Sequence, residues 1–552
     1  MMMLGAALHI STIAICLLSA VYLYLYLIPS IGAGINNKCL RSVRCSRYLE
    51  WSSSSSSGGV VDAFSYRVDG ADRQWRGFRS ALGLLIIVSV SVSGALSLIR
   101  RKMLVGLRDE VRWVLTLRLV VGAVIIIVYH GYHSLIVFAI ALMGYLVSSL
   151  SLHDQSRQVL YTWVFAVGVM LFKESYRLRD RYPVLVPLFD SRRYGGMYEW
   201  QYPANFLVLR MVSFSLDRCW ATHGRASEGQ EGSQSSLHYS GSSRSAPTAE
   251  EAESASLDMQ DYGLLQYLSY ALYSPLYIAG PVCSFNAYMS YSHKPQLQEH
   301  VPAYAVRWAA CCLLMEYLTS QFFFFAVISA HMTHLLDPYE VAVLSYVTLK
   351  LMWLKFLIIW RAFRLWALLD GVNCPENMLK CMSNNHSLEQ FWRGWHSSFN
   401  RWIVRYLYRP LGGRAHNALN ATIVFLFVSA WHDLEPKLLA WGLLNAAFYA
   451  IEVNAKRCYR AVQAQRAIPP AVHHFVTITA GALYIIVLIG VNLVGYSVGI
   501  DGASAMLGRF YSADGCRALC CSFYFLCIGV IIMRYIEEGY KQQQQQQPLK
   551  VK

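Results

Sequence analysis

Blocks of about twenty apolar residues recur along this 552-residue chain, and they are nearly free of charge. A helix needs roughly 20 apolar residues to cross the hydrocarbon core of a bilayer. Only helices and closed barrels satisfy every backbone polar group there. The chain therefore reads as an all-α polytopic membrane protein, one integrated domain rather than several. Only 15% of its residues are charged, against about 25% in a soluble domain. The net charge of +15 would raise nucleic acid as a partner in a soluble protein. Here Lys and Arg gather between apolar blocks, as at Arg100-Arg101-Lys102 and from Arg177 to Arg193. That pattern is a topology and lipid-headgroup signal, so no nucleic-acid partner is expected.

The first block, Leu4–Ile28, lacks a small-residue cleavage site and reads as a retained span. A polar loop, Lys38–Arg79, follows. Within it Cys39 and Cys45 can pair if the loop is luminal. Residues 1–79 form an N-terminal span and polar loop, and 80–220 a set of membrane helices with a charged loop at Lys173–Arg193. Further spans are expected at Ser80–Ile99, Leu115–His130, His133–Ser151 and Val159–Phe172. Pro203–Trp220 reads as an amphipathic piece in or near the interface. The Ser/Gly/Glu-rich stretch 221–260 lacks apolar periodicity and reads as a disordered insert. Residues 261–535 form the core. Tyr262–Gly280 is interrupted by Pro275 and Gly280-Pro281, which fits either a kink or a cavity wall. Tyr304–His331, Tyr339–Ala362, Ala418–Trp431, Lys437–Asn454, Val472–Val494 and Leu519–Met533 read as spans. The tail, 536–552, holds the low-complexity run Gln542–Gln547. Basic residues follow both the first and the second span, so charge alone leaves the orientation open.

The chemistry concentrates between Phe391 and Asn445. Read as one helix, Phe391–Tyr408 puts Trp392, His396 and Asn400 on one face, with Trp395, Phe399, Trp402 and Tyr406 on the next. Arg393, Arg401 and Arg405 lie on a third. They suit either a phosphate, gripped bidentately, or an interface where arginines snorkel and aromatics anchor. For His396 a structural and a catalytic role stand equally open. Arg409-Pro410-Leu411-Gly412-Gly413 ends the helix in a sharp turn. His432 closes the apolar run Ala418–Trp431. An ionisable group at membrane depth is a functional candidate, and a neutral imidazole in a dry site can take a proton from a hydroxyl. The chain has no phosphate loop, no GxSxG elbow, no HExxH and no zinc framework.

Phe391–Gly413 and Ser429-Ala430-Trp431-His432-Asp433 resemble the signature of the membrane-bound O-acyltransferase (MBOAT) family. Trp392-Arg393 through Trp395-His396-Ser397-Ser398-Phe399-Asn400-Arg401-Trp402 resembles its Gup (glycerol uptake protein) branch, with hedgehog acyltransferase a relative. Tyr270 to Pro281 with Phe285-Asn286, Leu369-Asp370-Gly371, Pro375-Glu376-Asn377-Met378, Cys381 and Asn384-Asn385 extend the likeness over most of Gln201–Asn445. The resemblance implies the MBOAT fold, about a dozen transmembrane and re-entrant helices around a membrane-crossing tunnel. Acyl-CoA would enter from one side and the acceptor from the other. It implies His432 and His396 as catalytic residues. Trp392, Arg393, Asn400, Arg401 and Arg405 are the candidate substrate contacts. Cys381 stands fifteen positions before His396, at the spacing of a haem-ligating cysteine in hedgehog acyltransferase, which implies a possible haem.

The function expected is transfer of a long-chain acyl group from acyl-CoA to a lysolipid hydroxyl. The branch points to remodelling of lyso-type glycosylphosphatidylinositol (GPI) anchors in the endoplasmic reticulum membrane. The alternatives are a glycerol or proton-coupled carrier, with His432 as a proton relay, a protein N-acyltransferase of the hedgehog acyltransferase type, and a non-catalytic scaffold. No two-fold internal repeat of the kind many carriers show is present.

Overall fold

The computed structural model describes residues 14–51, 66–104, 109–150, 154–181, 196–228, 252–253, 257–296, 300–413, 417–466 and 468–546. Its longer helices, in chain order, are α1 (Ala14–Arg41), α2 (Arg73–Met103), α3 (Glu110–His130), α4 (Ser134–Val147), α5 (Gln155–Arg181), α6 (Gln201–Glu228), α7 (Val301–Gln321), α8 (Pro338–Leu369), α9 (Asn417–His432), α10 (Pro436–Gln465), α11 (Pro470–Tyr496) and α12 (Ala513–Gln546). Seven of them, α1, α2, α3, α8, α10, α11 and α12, are long and apolar enough to cross a membrane. The chain is an all-α polytopic membrane protein.

Several expectations are corrected. The loop after α1 is built, with a disulfide between Cys39 and Cys45 and a short hairpin of β1 (Leu49–Trp51) and β2 (Arg67–Asp69). The stretch expected as the span Tyr304–His331 is broken. α7 ends at Gln321, Phe322 is extended, and a short helix, Phe324–Ser329, packs its phenylalanines inward. The amphipathic piece is no interfacial helix. It is α6, with Leu207, Val212 and Phe214 fully buried. Polar residues in α6 that looked outward from the sequence are paired inside: Asp217 with Arg405 and Tyr406, Arg210 with the carbonyls of Tyr270 and Ala271. α6 runs to Glu228, into the stretch expected to be disordered, and Leu257 beyond it is buried. Residues 229–251 and 254–256 of that insert lie outside the described residues, as does Gln547 of the glutamine run. At Pro275 and Gly280-Pro281 the backbone forms short helices, Leu264–Ala271, Ser274–Ile278 and Phe285–His293, packed against α6.

Two large apolar cores result, beside a small cluster of Leu388, Phe391 and Leu488. One gathers α3 to α6 with Tyr262–Tyr291, Phe399–Tyr406 and Trp431. The other gathers α1, α7, α8 and Phe322–Leu336. Behind the first, α9 lies on α10 where Gly442 faces Ser429. A Cβ at Gly442 would stand 2.1 Å from the Ser429 Oγ. Overpacking of this kind costs about 1–3 kcal/mol. Gly442→Val is therefore expected to lower the thermal unfolding temperature in detergent and to pry α9 from α10. An unchanged melting curve would show that the contact is slack.

Candidate active site

The expected helix Phe391–Tyr408 is broken in the middle. Leu388–Gly394 is helical, Trp395 is extended, and His396 takes a left-handed conformation at φ 47°, ψ 46° before Ser397–Ile403 resumes. A non-glycine residue there costs roughly 1–2 kcal/mol, so the surroundings must hold it. They do so through two serines. The Ser397 N–H donates to the Asn377 carbonyl at 2.9 Å, and the Ser397 hydroxyl to the Glu376 carbonyl. The Ser398 hydroxyl donates to the Asn377 side chain and accepts from the Val282 N–H at 2.8 Å. The faces drawn on one continuous helix therefore hold only within each half.

The break turns the His396 ring into a cavity of about 1920 Å³ between the two cores. Its ring lies 4.3 Å from Trp360, 5.2 Å from Phe399 and 6.2 Å from Trp431. The second histidine, His432, closes α9 and lines the same cavity, 4.7 Å from Trp431 and 5.6 Å from Tyr496. Trp431 thus stands against both imidazoles. The buried Nδ1 of His396 has no hydrogen-bond partner among the described residues. The cavity is lined by α10 from Lys437 to Arg460. At a rise of about 1.5 Å per residue, that span is comparable to the roughly 30 Å of a hydrocarbon core. Toward the C-terminal end of α10 the lining carries Lys456, Arg457 and Arg460, with Arg393 drawn beside Lys456 by their shared partner Glu389; at the start of α10 it carries Glu435 and Lys437.

A family model, "MBOAT, membrane-bound O-acyltransferase family", matches residues 123–498. The chain belongs to the membrane-bound O-acyltransferase family. It is similar to the membrane-bound O-acyltransferase gup1 of Schizosaccharomyces pombe, at 34% identity over 86% of this chain and 82% of that one. It is similar to GUP1 of Saccharomyces cerevisiae at 32%, over 87% and 84%. It is also similar to the protein-cysteine N-palmitoyltransferase HHAT of Mus musculus at 24%, over 62% and 65%. The chain is an acyltransferase.

The MBOAT cavity gathers His396, His432, Trp392, Arg393 and Asn400. Trp392 packs edge-on against Phe425 and Trp441, and its buried indole N–H has no partner among the described residues. Arg393 is exposed and pairs with Glu389 at 2.7 Å. Arg401 and Arg405 are not brought to the cavity. Arg401 pairs with Glu253 at 3.5 Å. Arg405 pairs at 2.9 Å with Asp217, whose side chain is wholly buried, and stacks on Trp220 and Tyr406. The helix break and the π-helical turn Val404–Tyr408 rotate these two arginines away from Arg393, so the expected stripe does not form. Cys381 is an exposed free thiol outside the cavity lining. The group beside it is the Lys350 ammonium, itself hydrogen-bonded to Ser383. An ammonium and a hydroxyl are poor neighbours for the apolar macrocycle of a haem, so these residues do not fit one.

Lys173 and Asn205, which sequence reading passed over, touch the backbone of His432. Lys173 follows the apolar run Val159–Phe172 and looks like a lysine snorkelling from a span end. No local signal tells it from one that is buried. The Arg405 geometry is directly testable. Removing one partner of a buried pair costs about 3–5 kcal/mol. Arg405→Ala is expected to lower thermal stability by several degrees while acyl-CoA affinity of the folded fraction stays put. A selective loss of acyl-CoA affinity, with stability intact, would return Arg405 to the substrate site.

Proposed function

We propose that this chain transfers a long-chain acyl group from acyl-CoA to a hydroxyl of a lysolipid, with a lyso-type GPI lipid as acceptor, in the endoplasmic reticulum membrane. The observation that carries the reading is a cavity that runs along α10 for about a membrane's thickness, with two histidines lining it and Lys456, Arg457 and Arg460 toward one end. Phosphates of CoA suit that end, because Arg and Lys bind phosphate through charge-assisted hydrogen bonds. Arg393 keeps its assigned contact, and Arg409, Lys456, Arg457 and Arg460 join it in place of Arg401 and Arg405. The Cys39–Cys45 disulfide argues for the side of the membrane, since disulfides persist in oxidising compartments. The loop after α1 then faces the lumen, and Arg100-Arg101-Lys102 with the basic end of the cavity face the cytosol, in keeping with the positive-inside rule. Of the basic residues Lys38, Arg41, Arg44 and Arg47 that follow the first apolar block, Lys38 pairs with Glu340.

The acceptor enters from the opposite end. His432 takes the proton of its hydroxyl as that oxygen attacks the thioester carbonyl. A C–O bond forms and the C–S bond breaks, and the proton passes on to the departing CoA thiolate. His396, whose Nδ1 has no hydrogen-bond partner among the described residues, can offer an N–H to the oxygen that becomes negative in the tetrahedral intermediate. The similarity to a protein-cysteine N-palmitoyltransferase supports a second acceptor class, a protein amine.

The test uses purified protein, labelled acyl-CoA and either a lysolipid or an acceptor peptide. A general base contributes about 10²–10⁴-fold in rate, so His432→Ala should lose nearly all transfer while still inserting in membranes. His396→Ala should fall less steeply. Near wild-type transfer by His432→Ala would overturn the assignment. Lipid analysis of GPI anchors from cells lacking the chain identifies the acceptor, with loss of the sn-2 acyl group expected.

A further inference from the structure

We propose that Lys173 is a positioning residue for His432, acting with Asn205 as a bracket on the end of α9. The inference rests on the reading of His432 as the base. Lys173 lies on α5, 259 positions before the backbone it holds, and its ammonium is only 2% exposed. A buried charge is tolerated when its hydrogen bonds are met, and among the described residues three acceptors bond this one. They are the Asn205 Oδ1 at 3.0 Å, the His432 carbonyl at 3.2 Å and the Asp433 Oδ1 at 3.3 Å.

The place is chemically particular. The last carbonyls of a helix have no intrahelical partner, and a cation there is favoured by the helix dipole. Here the carbonyl held is that of His432 itself, so any shift of it swings the imidazole. Asn205 completes the bracket from α6. Its side-chain N–H₂ donates to the same carbonyl at 3.4 Å, and its own backbone carbonyl accepts from the Trp431 indole at 2.9 Å. Trp431 is the ring that stands against both histidines. One lysine and one asparagine from two neighbouring helices therefore fix the base and the aromatic wall beside it. Asn205, His432 and Asp433 line the cavity while Lys173 does not. Lys173 lies behind the reacting groups and acts through His432.

The experiment compares wild type, Lys173→Met, Lys173→Gln and Lys173→Arg as purified full-length protein in detergent, each checked for a single size-exclusion peak. Two quantities are read: kcat and KM for acyl-CoA with a lysolipid acceptor, and the rate at which diethylpyrocarbonate modifies His432, followed by mass spectrometry. A misplaced catalytic group can cost about 10²-fold. Lys173→Met is expected to lower kcat by about that factor with acyl-CoA KM little changed, and its His432 should be modified several-fold faster. Lys173→Arg, which keeps the charge and donors, should recover most of both. If the Met variant is not monodisperse, the Gln variant is read in its place. Wild-type kcat and wild-type modification rate in the variant would overturn the bracket. Should wild type itself transfer no acyl group, the acyltransfer reading fails instead. The modification rate alone then decides Lys173, with faster labelling supporting it and unchanged labelling overturning it.

Discussion

A backbone polar group inside a bilayer must find a partner within the protein, and the structure meets that rule where its helices are most broken. Between Gly394 and Ser397 the helical ladder stops. The peptide and hydroxyl groups of Ser397 and Ser398 bond to Glu376, Asn377 and Val282. Those three acceptors and donors come from segments that are themselves irregular. The connector after α8 and the turn at Gly280-Pro281 are therefore not loose joints. They are the framework on which a left-handed histidine is held. Without that break His396 would follow the helix and would not face His432 across Trp431.

The same economy of partners explains the charged residues deep in the bundle. Asp217 is shared by Arg405 and Tyr406. Arg118 bonds Ser292 and the Asp370 carbonyl, while the Asp370 carboxylate takes Ser93 and Tyr273. Lys355 pairs with Asp72 at 2.6 Å. Each such pair joins elements far apart in sequence, and each is strongly destabilised by loss of one member. They register the helices around the cavity, so that the His396 and His432 rings share one space. The basic residues on α10 and beside the broken helix face the cavity even where they are paired, Arg393 with Glu389 and Lys456 with Glu452, and can meet an anionic substrate.

Much of the membrane architecture was already visible in the chain. The apolar blocks of α1, α2, α3, α8, α10, α11 and α12 announce themselves, because crossing a bilayer demands length and apolarity whatever the neighbours are. Elements buried in protein rather than lipid were harder. α6 carries Asn205, Arg210, Asp217 and Arg218, so its sequence looks amphipathic, yet each of these side chains finds a partner on another segment. Phe322–Ser329 is apolar enough to continue a span, and only its packing on α1 and α8 shows where the chain bends.

The residues Trp392, His396 and His432 stand out in the sequence by their type and density, since imidazoles beside apolar runs are costly and few other reactive groups compete with them. That much the sequence determined by itself, together with the family and the multi-span architecture. The tertiary structure decided which arginines face the cavity, that the central helix breaks at His396, and that Lys173 and Asn205 grip the end of α9. Local sequence encodes helical period and apolar length, which are properties of a segment alone. Hydrogen bonds between residues some two hundred positions apart depend on where two helices come to rest, and no window of sequence contains both ends of such a contact.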